Sequence, residues 1–189
     1  VVIIIVPGLK HTAYKVTKTP WTLYDAAGSG VLTLTKAWPV GITGRVAVTV
    51  SAVEGHVDCT GAVVVAGESK NFSAPGQRLT YTTYLSALPA ISTSGLDCHV
   101  LVEVITTGGQ PYYEETLTAI TCRWTPTQKS FRNSLGEWET SDAEVLTTST
   151  TCNATDILRY EGMDYVIRQV NPYSKLSGRE FLRRLYVTR

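Results

Sequence analysis

Residues 159–170 read RYEGMDYVIRQV, and NPYSKLSG (171–178) comes directly after. Arg159-Tyr160 has the look of a strand end, Glu161-Gly162-Met163-Asp164 of a tight turn, and DYVIRQV of an alternating strand. In that strand Val166, Arg168 and Val170 share one face, and Tyr165, Ile167 and Gln169 the other. NPYSKLSG reads as a broad turn into a last strand, REFLRRLYVTR. Phe181, Leu185 and Val187 are expected inward there, with Leu182, Arg184 and Tyr186 on the opposite face. Consecutive short strands of this kind predict the closing part of a small β-barrel.

The same signals recur upstream. GRVAVTVSAVEG puts Val46, Val48 and Val50 on one face and Ala47, Thr49 and Ser51 on the other. LYDAAGSGVLTLTKAW, TGAVVVAG, HVLVEVITTGGQP and ETLTAITCRW repeat the form, with Gly-rich turns between them. Gly28-Ser29-Gly30 is read as a hairpin turn. Helix signals are poor: residues 79–91 leave room for no more than one turn, because Pro89 and a Thr run oppose it. An all-β fold is therefore expected, as a sandwich, a barrel or both. A chain of 189 residues has ample material for a core.

Net charge is only +1, so no global basic excess points to nucleic acid. The charge is segregated, however. Residues 51–121 carry two basic and seven acidic side chains, a balance of −5, while residues 166–189 carry six basic and one acidic, a balance of +5. Such polarity suits subunits that stack against partners. Among the basic residues, Arg168, Lys175, Arg179, Arg183 and Arg184 are candidates for a docking surface, with Tyr160, Tyr165, Tyr173 and Tyr186 interleaved. An acidic protein partner fits them better than phosphate, which would require convergence on one groove.

The opening VVIIIV is too short to span a bilayer and lacks a basic flank and cleavage signal; it is read as a buried strand or an arm added to a neighbour's sheet. The four cysteines form no C-x-x-C pair. A metal set drawn from His56, Asp58, Cys59, Asp97, Cys98 and His99 lacks the usual tight spacing. Burial as small apolar side chains is expected, with a Cys59–Cys98 disulfide as the lesser alternative. Asn71-Phe-Ser73 and Asn153-Ala-Thr155 match the glycosylation sequon, a pattern that arises easily by chance in a Thr/Ser-rich chain.

Catalytic motifs are missing: no H-E-x-x-H, G-x-S-x-G, Walker loop or dinucleotide fingerprint occurs. The histidines His11, His56 and His99 lie far apart, and Glu114-Glu115 point to opposite faces of a strand. No enzymatic activity, cofactor or metal is expected.

Between Trp124 and Cys152 the chain turns polar and poor in aliphatics, which predicts a long hairpin or extended loop over residues 125–151. Residues 120–178, which contain this segment, resemble the head-closure (stopper) proteins of tailed bacteriophages. The resemblance rests on Cys122-Arg123-Trp124, the turn Asn133 to Glu137, the step Asp142-Ala143, then Asp156, Tyr160, Gly162, Tyr165 and Val166, and finally Leu176 and Gly178. It covers roughly the last 65 residues, the pattern shared by small SH3-like barrels of neck and tail proteins.

The resemblance implies an SH3-like small β-barrel at residues 121–189, completed by an N-terminal strand within residues 1–38 such as PGLKHTAYKVTKT. Residues 39–120 would then be an inserted β-sandwich, which makes this chain longer than the family pattern. It further implies a virion protein made in the host cytoplasm and built into the neck as a hexameric or dodecameric ring. Its partners would be the portal or adaptor above and the tail terminator or tail proteins below, with no membrane. In that setting the 125–151 loop reaches into the channel or toward a neighbour. Lys129, Phe131, Arg132, Asn133 and Trp138 are its contact candidates, and Lys129 and Arg132 could touch packaged DNA non-specifically. The alternatives are another tail-completion or decoration protein, or an extracellular β-sandwich binding module.

Overall fold

The computed structural model describes residues 8–26, 32–34, 36–52, 59–133, 135–174 and 180–189. VVIIIV, the Gly28-Ser29-Gly30 turn, His56, Asp58, Lys175, Arg179 and the Phe181 side chain lie outside what it describes. Every regular element among the described residues is a β-strand. The chain divides into two compact units, Val1–Lys18 with Glu115–Arg189, and Thr19–Glu114.

The first unit is a closed barrel. Its strands are β1 (His11–Pro20), β10 (Tyr113–Pro126), β13 (Ala143–Thr147), β14 (Ile157–Tyr160), β15 (Met163–Ser174) and β16 (Glu180–Thr188). They succeed one another around the barrel in the order β1-β10-β13-β16-β15-β14, which leaves no open edge. The N-terminal strand expected to complete the barrel is β1, paired antiparallel with β14 through Tyr14 and Arg159. Alternation along each strand fills the interior with Ala13, Ile120, Cys122, Trp124, Val145, Leu158, Ile167, Leu185 and Val187. Each large aliphatic among them contributes about 1.5–3 kcal/mol of burial. Trp124 anchors the packing: its ring stacks on Tyr160 with centroids 4.4 Å apart and meets the edge of Tyr165 at 4.9 Å.

The β14–β15 turn is as expected, with Glu161 at φ 51° and Gly162 at φ 77°, the left-handed pair that a two-residue hairpin requires. The facing of β15 is not as expected. The register against β16 shifts between Ile167 and Gln169, a bulge at Arg168. Tyr165 and Ile167 therefore face the core, and the extra residue re-aims the chain so that Val170 joins them. Val166 and Val170 do not share a face. Leu185 and Val187 do point inward as predicted.

Of the two forms expected for residues 125–151, a long hairpin or an extended loop, the structure has a hairpin, shorter than the segment and flanked by barrel strands. β10 continues to Pro126, a short hairpin of β11 (Ser130–Arg132) and β12 (Trp138–Thr140) comes next, and β13 then enters the barrel wall. All five residues of β13 are buried: it is paired with β10 along one edge and β16 along the other, Ala143 and Val145 face the barrel core, and Lys129 and Arg184 lie against Glu144 on the other face.

The second unit is the sandwich, and it begins at Thr19 and ends at Glu114 where residues 39 and 120 were expected. The earlier start has a pairing cause. β2 (Thr22–Ala26) bonds to β9 (Cys98–Thr106), and β3 (Leu32–Leu34) bonds to β8 (Ile91–Ser94). The two sheets run β2-β9-β4-β7 and β3-β8-β5-β6, with β4 (Gly44–Ala52), β5 (Gly61–Val65), β6 (Glu68–Phe72) and β7 (Arg78–Thr80). Val46, Val48 and Val50 of β4 and Val100, Val102 and Val104 of β9 face Val63, Val65, Phe72 and Ile91 of the other sheet. Tyr81, just past β7, is wholly buried, and its hydroxyl donates to the Val63 carbonyl across the core at 2.7 Å. Residues 79–91 hold no helical turn.

Cys59 and Cys98 form a disulfide with Cα atoms 5.6 Å apart, which corrects the preference for two unpaired thiols. It ties the β9 sheet to the segment entering β5. Cys122 and Cys152 are buried and free, and desolvation pushes both thiols up, Cys122 to about 11.

One carboxylate on the sandwich has a testable role. Glu68 Oε1 accepts from the backbone N and the Oγ1 of both Thr82 and Thr83, at 2.5–2.8 Å. Those bonds, chiefly from the two hydroxyls, hold its carboxyl near 2, where 4.5 is usual. Folding thus favours the ionised form. Its contribution is complete above pH 4.5 and is lost as pH falls toward 2. Thermal melts of Glu68→Gln are expected to fall below wild type at pH 7 and to converge with it near pH 2; a constant gap between the two proteins would contradict this.

Candidate interaction surface

The β11–β12 hairpin folds back onto its own barrel. Its register pairs Ser130 with Thr140, Phe131 with Glu139 and Arg132 with Trp138. Alternation turns Phe131 inward, where it is 5 % exposed and stacks flat on Tyr186 of β16 at 5.3 Å. At the hairpin base Ser141 N donates to the Lys129 carbonyl at 3.0 Å, and Lys129 Nζ meets Glu144 at 2.5 Å. Glu144 is only 6 % exposed, and Arg184 Nε lies 3.7 Å from its other oxygen. Removing either cation would leave the buried carboxylate under-compensated.

The tip is organised by Asn133. Its Oδ1 accepts from Leu135 N at 2.9 Å and Glu137 N at 3.0 Å, while Nδ2 donates to Glu137 at 3.1 Å and Glu139 at 2.8 Å. Gly136, at φ 83°, allows the return. Leu135 and Trp138 on this hydrogen-bonded turn stand in solvent, 81 % and 66 % exposed, with the Arg132 guanidinium 5.0 Å from the Trp138 ring. Exposed apolar side chains on a fixed turn resemble the anchors that dominate binding at protein interfaces.

The contact candidates Lys129, Phe131, Arg132, Asn133 and Trp138 come together in one hairpin, with different tasks. Lys129 and Phe131 fasten it, Asn133 shapes it, and Arg132 and Trp138 are displayed. Leu135 is absent from that set, although its place as an apolar residue inside the turn Asn133 to Glu137 is an available signal.

Of the basic docking candidates, Arg168, Arg183 and Arg184 are among the described residues, and each has a partner within the chain. Arg183 lies on the inward side of β16, half-buried, and donates to the Cys152 carbonyl. Arg184 contacts Glu144 and lies over the Tyr173 ring at 5.3 Å. Arg168, the bulged residue, donates to Thr188 Oγ1 at 3.0 Å and lies 3.9 Å from Glu139. The hairpin and β13 bring Glu139 close to Arg168 and Glu144 close to Arg184, which offsets part of the positive charge of these two arginines.

A second feature of the barrel is a groove of about 300 Å³ along β1 and β14, lined by Lys15, Val16, Thr17, Lys18, Thr155, Asp156 and Ile157. Lys15 Nζ pairs with Asp156 at 2.7 Å, and Lys18 pairs with Glu115 at 3.4 Å. Arg159 grips Asp164 through two nitrogens, at 2.6 and 2.9 Å, and Glu115 at 2.9 Å. The bonds from Arg159 hold both carboxyls below their usual range. No group of three or more His, Cys, Asp or Glu side chains suited to a metal occurs among the described residues.

Fold and surface together define an all-β protein: a closed six-stranded barrel bearing a displayed hairpin, with a disulfide-linked sandwich inserted between its first and second strands. The chain matches no protein-family model, no curated protein and no solved structure at a significant level.

Proposed function

We propose that this chain is a structural protein of a tailed-phage neck, forming a homo-oligomeric ring below the portal or adaptor that closes the DNA channel and joins head to tail. The observation that supports it is the position of the residues carrying the head-closure resemblance. Cys122, Trp124, Tyr160 and Tyr165 meet in or against one barrel core, and Asn133 to Glu137 shape the hairpin tip that displays Leu135 and Trp138. A scattered motif thus encodes a single barrel with a projecting contact element. A hydrogen-bonded turn that displays apolar side chains suits ring assembly, since little ordering entropy is then lost on association.

The test is to shorten residues 133–137 to a two-residue turn in the producing phage. Packed heads are expected to lose DNA and fail to receive tails. Normal retention and normal tail joining would remove the hairpin from any role in closure.

The Cys59–Cys98 disulfide favours a second reading, an extracellular binding module, because such bonds persist in oxidising surroundings. In that reading the exposed Asn71 and Asn153 are glycan acceptors in a eukaryotic host. Intact mass of the natural protein separates the two: added glycan supports the module, and a bare chain recovered with virions supports the neck.

A further inference from the structure

We infer that residues 1–6, VVIIIV, add as a strand to a free stretch of β10 in a second copy of this chain; the inference rests on the ring reading above and names its contact. The receiving edge supplies the first argument. Every barrel strand has two neighbours, yet β10 is 14 residues long and β13 only 5. β1 runs beside β10 from His11, whose Nδ1 accepts from Trp124 N, to Lys18, which pairs with Glu115. On the other side β13 pairs with β10 only from Cys122 to Pro126, and Thr147 Oγ1 donates to the Thr121 carbonyl. Residues 115–120 therefore have β1 along one edge and no strand along the other among the described residues. Glu115 to Ala119 are all exposed, so both faces are open there as well as the edge. Exposed edges are commonly blunted by proline or lysine, and ETLTAI has neither. Its one charge, Glu115, sits at the end of the stretch and is held by Arg159 and Lys18. Leu117, 46 % exposed, stands near the middle.

The occupant supplies the second. VVIIIV is an unbroken run of β-branched apolar residues, the composition most suited to a strand covered on both faces. These residues lie outside those the structure describes, which begin at Gly8, against the Arg123 side chain. Six extended residues span about 20 Å, the length of residues 115–120. To reach the free edge of their own subunit they would first have to cross β10 from the β1 side. Two strand spacings are about 10 Å, a distance that uses about three of the six residues. In a second copy all six are free to pair. Their side chains then meet Leu117 and Ala119 on one face of the sheet and Thr116 and Thr118 on the other, cross-strand pairs of the kind that stabilise sheets. An arm passed from each subunit to the next is a heterologous contact, which closes as a ring when the rotation per step allows.

The test uses the full-length chain and two variants of it. Ile3→Pro/Ile4→Pro removes a ladder donor from the added strand whichever way it faces, and Leu117→Lys puts a charge in the receiving edge. Each alone is expected to weaken self-association by about tenfold or more in sedimentation, with the melting temperature of the dilute monomer unchanged. Mixed together, the two should form a one-to-one heterodimer by native mass spectrometry, because one keeps the edge and the other keeps the arm. That complementation separates exchange between copies from pairing within one. Hydrogen exchange at residues 115–120 should slow as the wild-type concentration rises. Undiminished association in either variant, no heterodimer in the mixture, protection that does not depend on concentration, or a wild-type chain that stays monomeric would each overturn the contact. The neck reading fails separately, by absence of the chain from the head–tail vertex of particles.

Discussion

Trp124→Ala is expected to remove about 3–5 kcal/mol from the barrel, the usual loss for a buried aromatic cut to a methyl group. The indole is 6 % exposed and holds three parts of the barrel together: its own β10, Tyr160 at the end of β14, and Tyr165 in β15. Alanine opens a cavity between strands that are distant in sequence, so local repacking cannot fill it. The backbone bond from Trp124 N to His11 Nδ1, 2.9 Å, survives the substitution, which confines the effect to the ring. Against a total stability of about 5–15 kcal/mol, such a loss leaves the barrel marginal. Guanidinium unfolding read by hydrogen exchange in β13 and β15 measures it, with Trp124→Phe as a milder variant should the alanine chain fail to fold. Trp138→Ala is the control: same residue type, solvent-exposed, and expected to change stability by less than about 0.5 kcal/mol. Equal losses at the two tryptophans would contradict this description of the barrel.

Cys59→Ala/Cys98→Ala is expected to cost the sandwich about 4 kcal/mol, because the bridge closes a loop spanning 39 positions. Most of that effect arises in the unfolded chain, whose freedom the cross-link restricts. The folded packing changes little, since alanine keeps both sites apolar. Amides of β4 and β9 should exchange faster, and reduction of the wild type should reproduce the variant's behaviour. If neither reduction nor substitution moves the unfolding midpoint, the bridge has no stabilising part in this unit.

These two residue sets also mark what is legible in the sequence. Strict alternation in Gly44–Ala52 predicts the buried Val46, Val48 and Val50, because a strand with one face on a core must repeat every two residues. The barrel itself is legible from the short strands around Gly162. Three things are hidden, each for a physical reason. A bulge adds one residue and reverses the facing beyond it, and nothing in DYVIRQV announces the one at Arg168. β13 shows no alternation because both of its faces are covered, and Glu144 inside it reads as a surface residue until Lys129 and Arg184 are seen beside it. The disulfide joins cysteines distant along the chain, and spacing alone cannot say which cysteines meet.

The candidate surface is half legible. SFRNSLGEW reads as a contact element, but pattern does not separate residues that fasten the hairpin from those it displays. That division depends on which side of a three-residue strand meets Tyr186. The arginines of the last strands are harder still: their density suggests an open basic surface, while their partners Glu139 and Glu144 come from the preceding segment. The β1/β14 groove has no sequence signature, being made by strands more than a hundred residues apart.

The most direct measurement is cryo-electron microscopy of particles from the producing phage, with the chain marked by a C-terminal tag. The neck account predicts a single ring of this protein at the head–tail vertex, its barrels side by side around the DNA channel. Density spread over the capsid or along the tail, or particles without the protein, would contradict it.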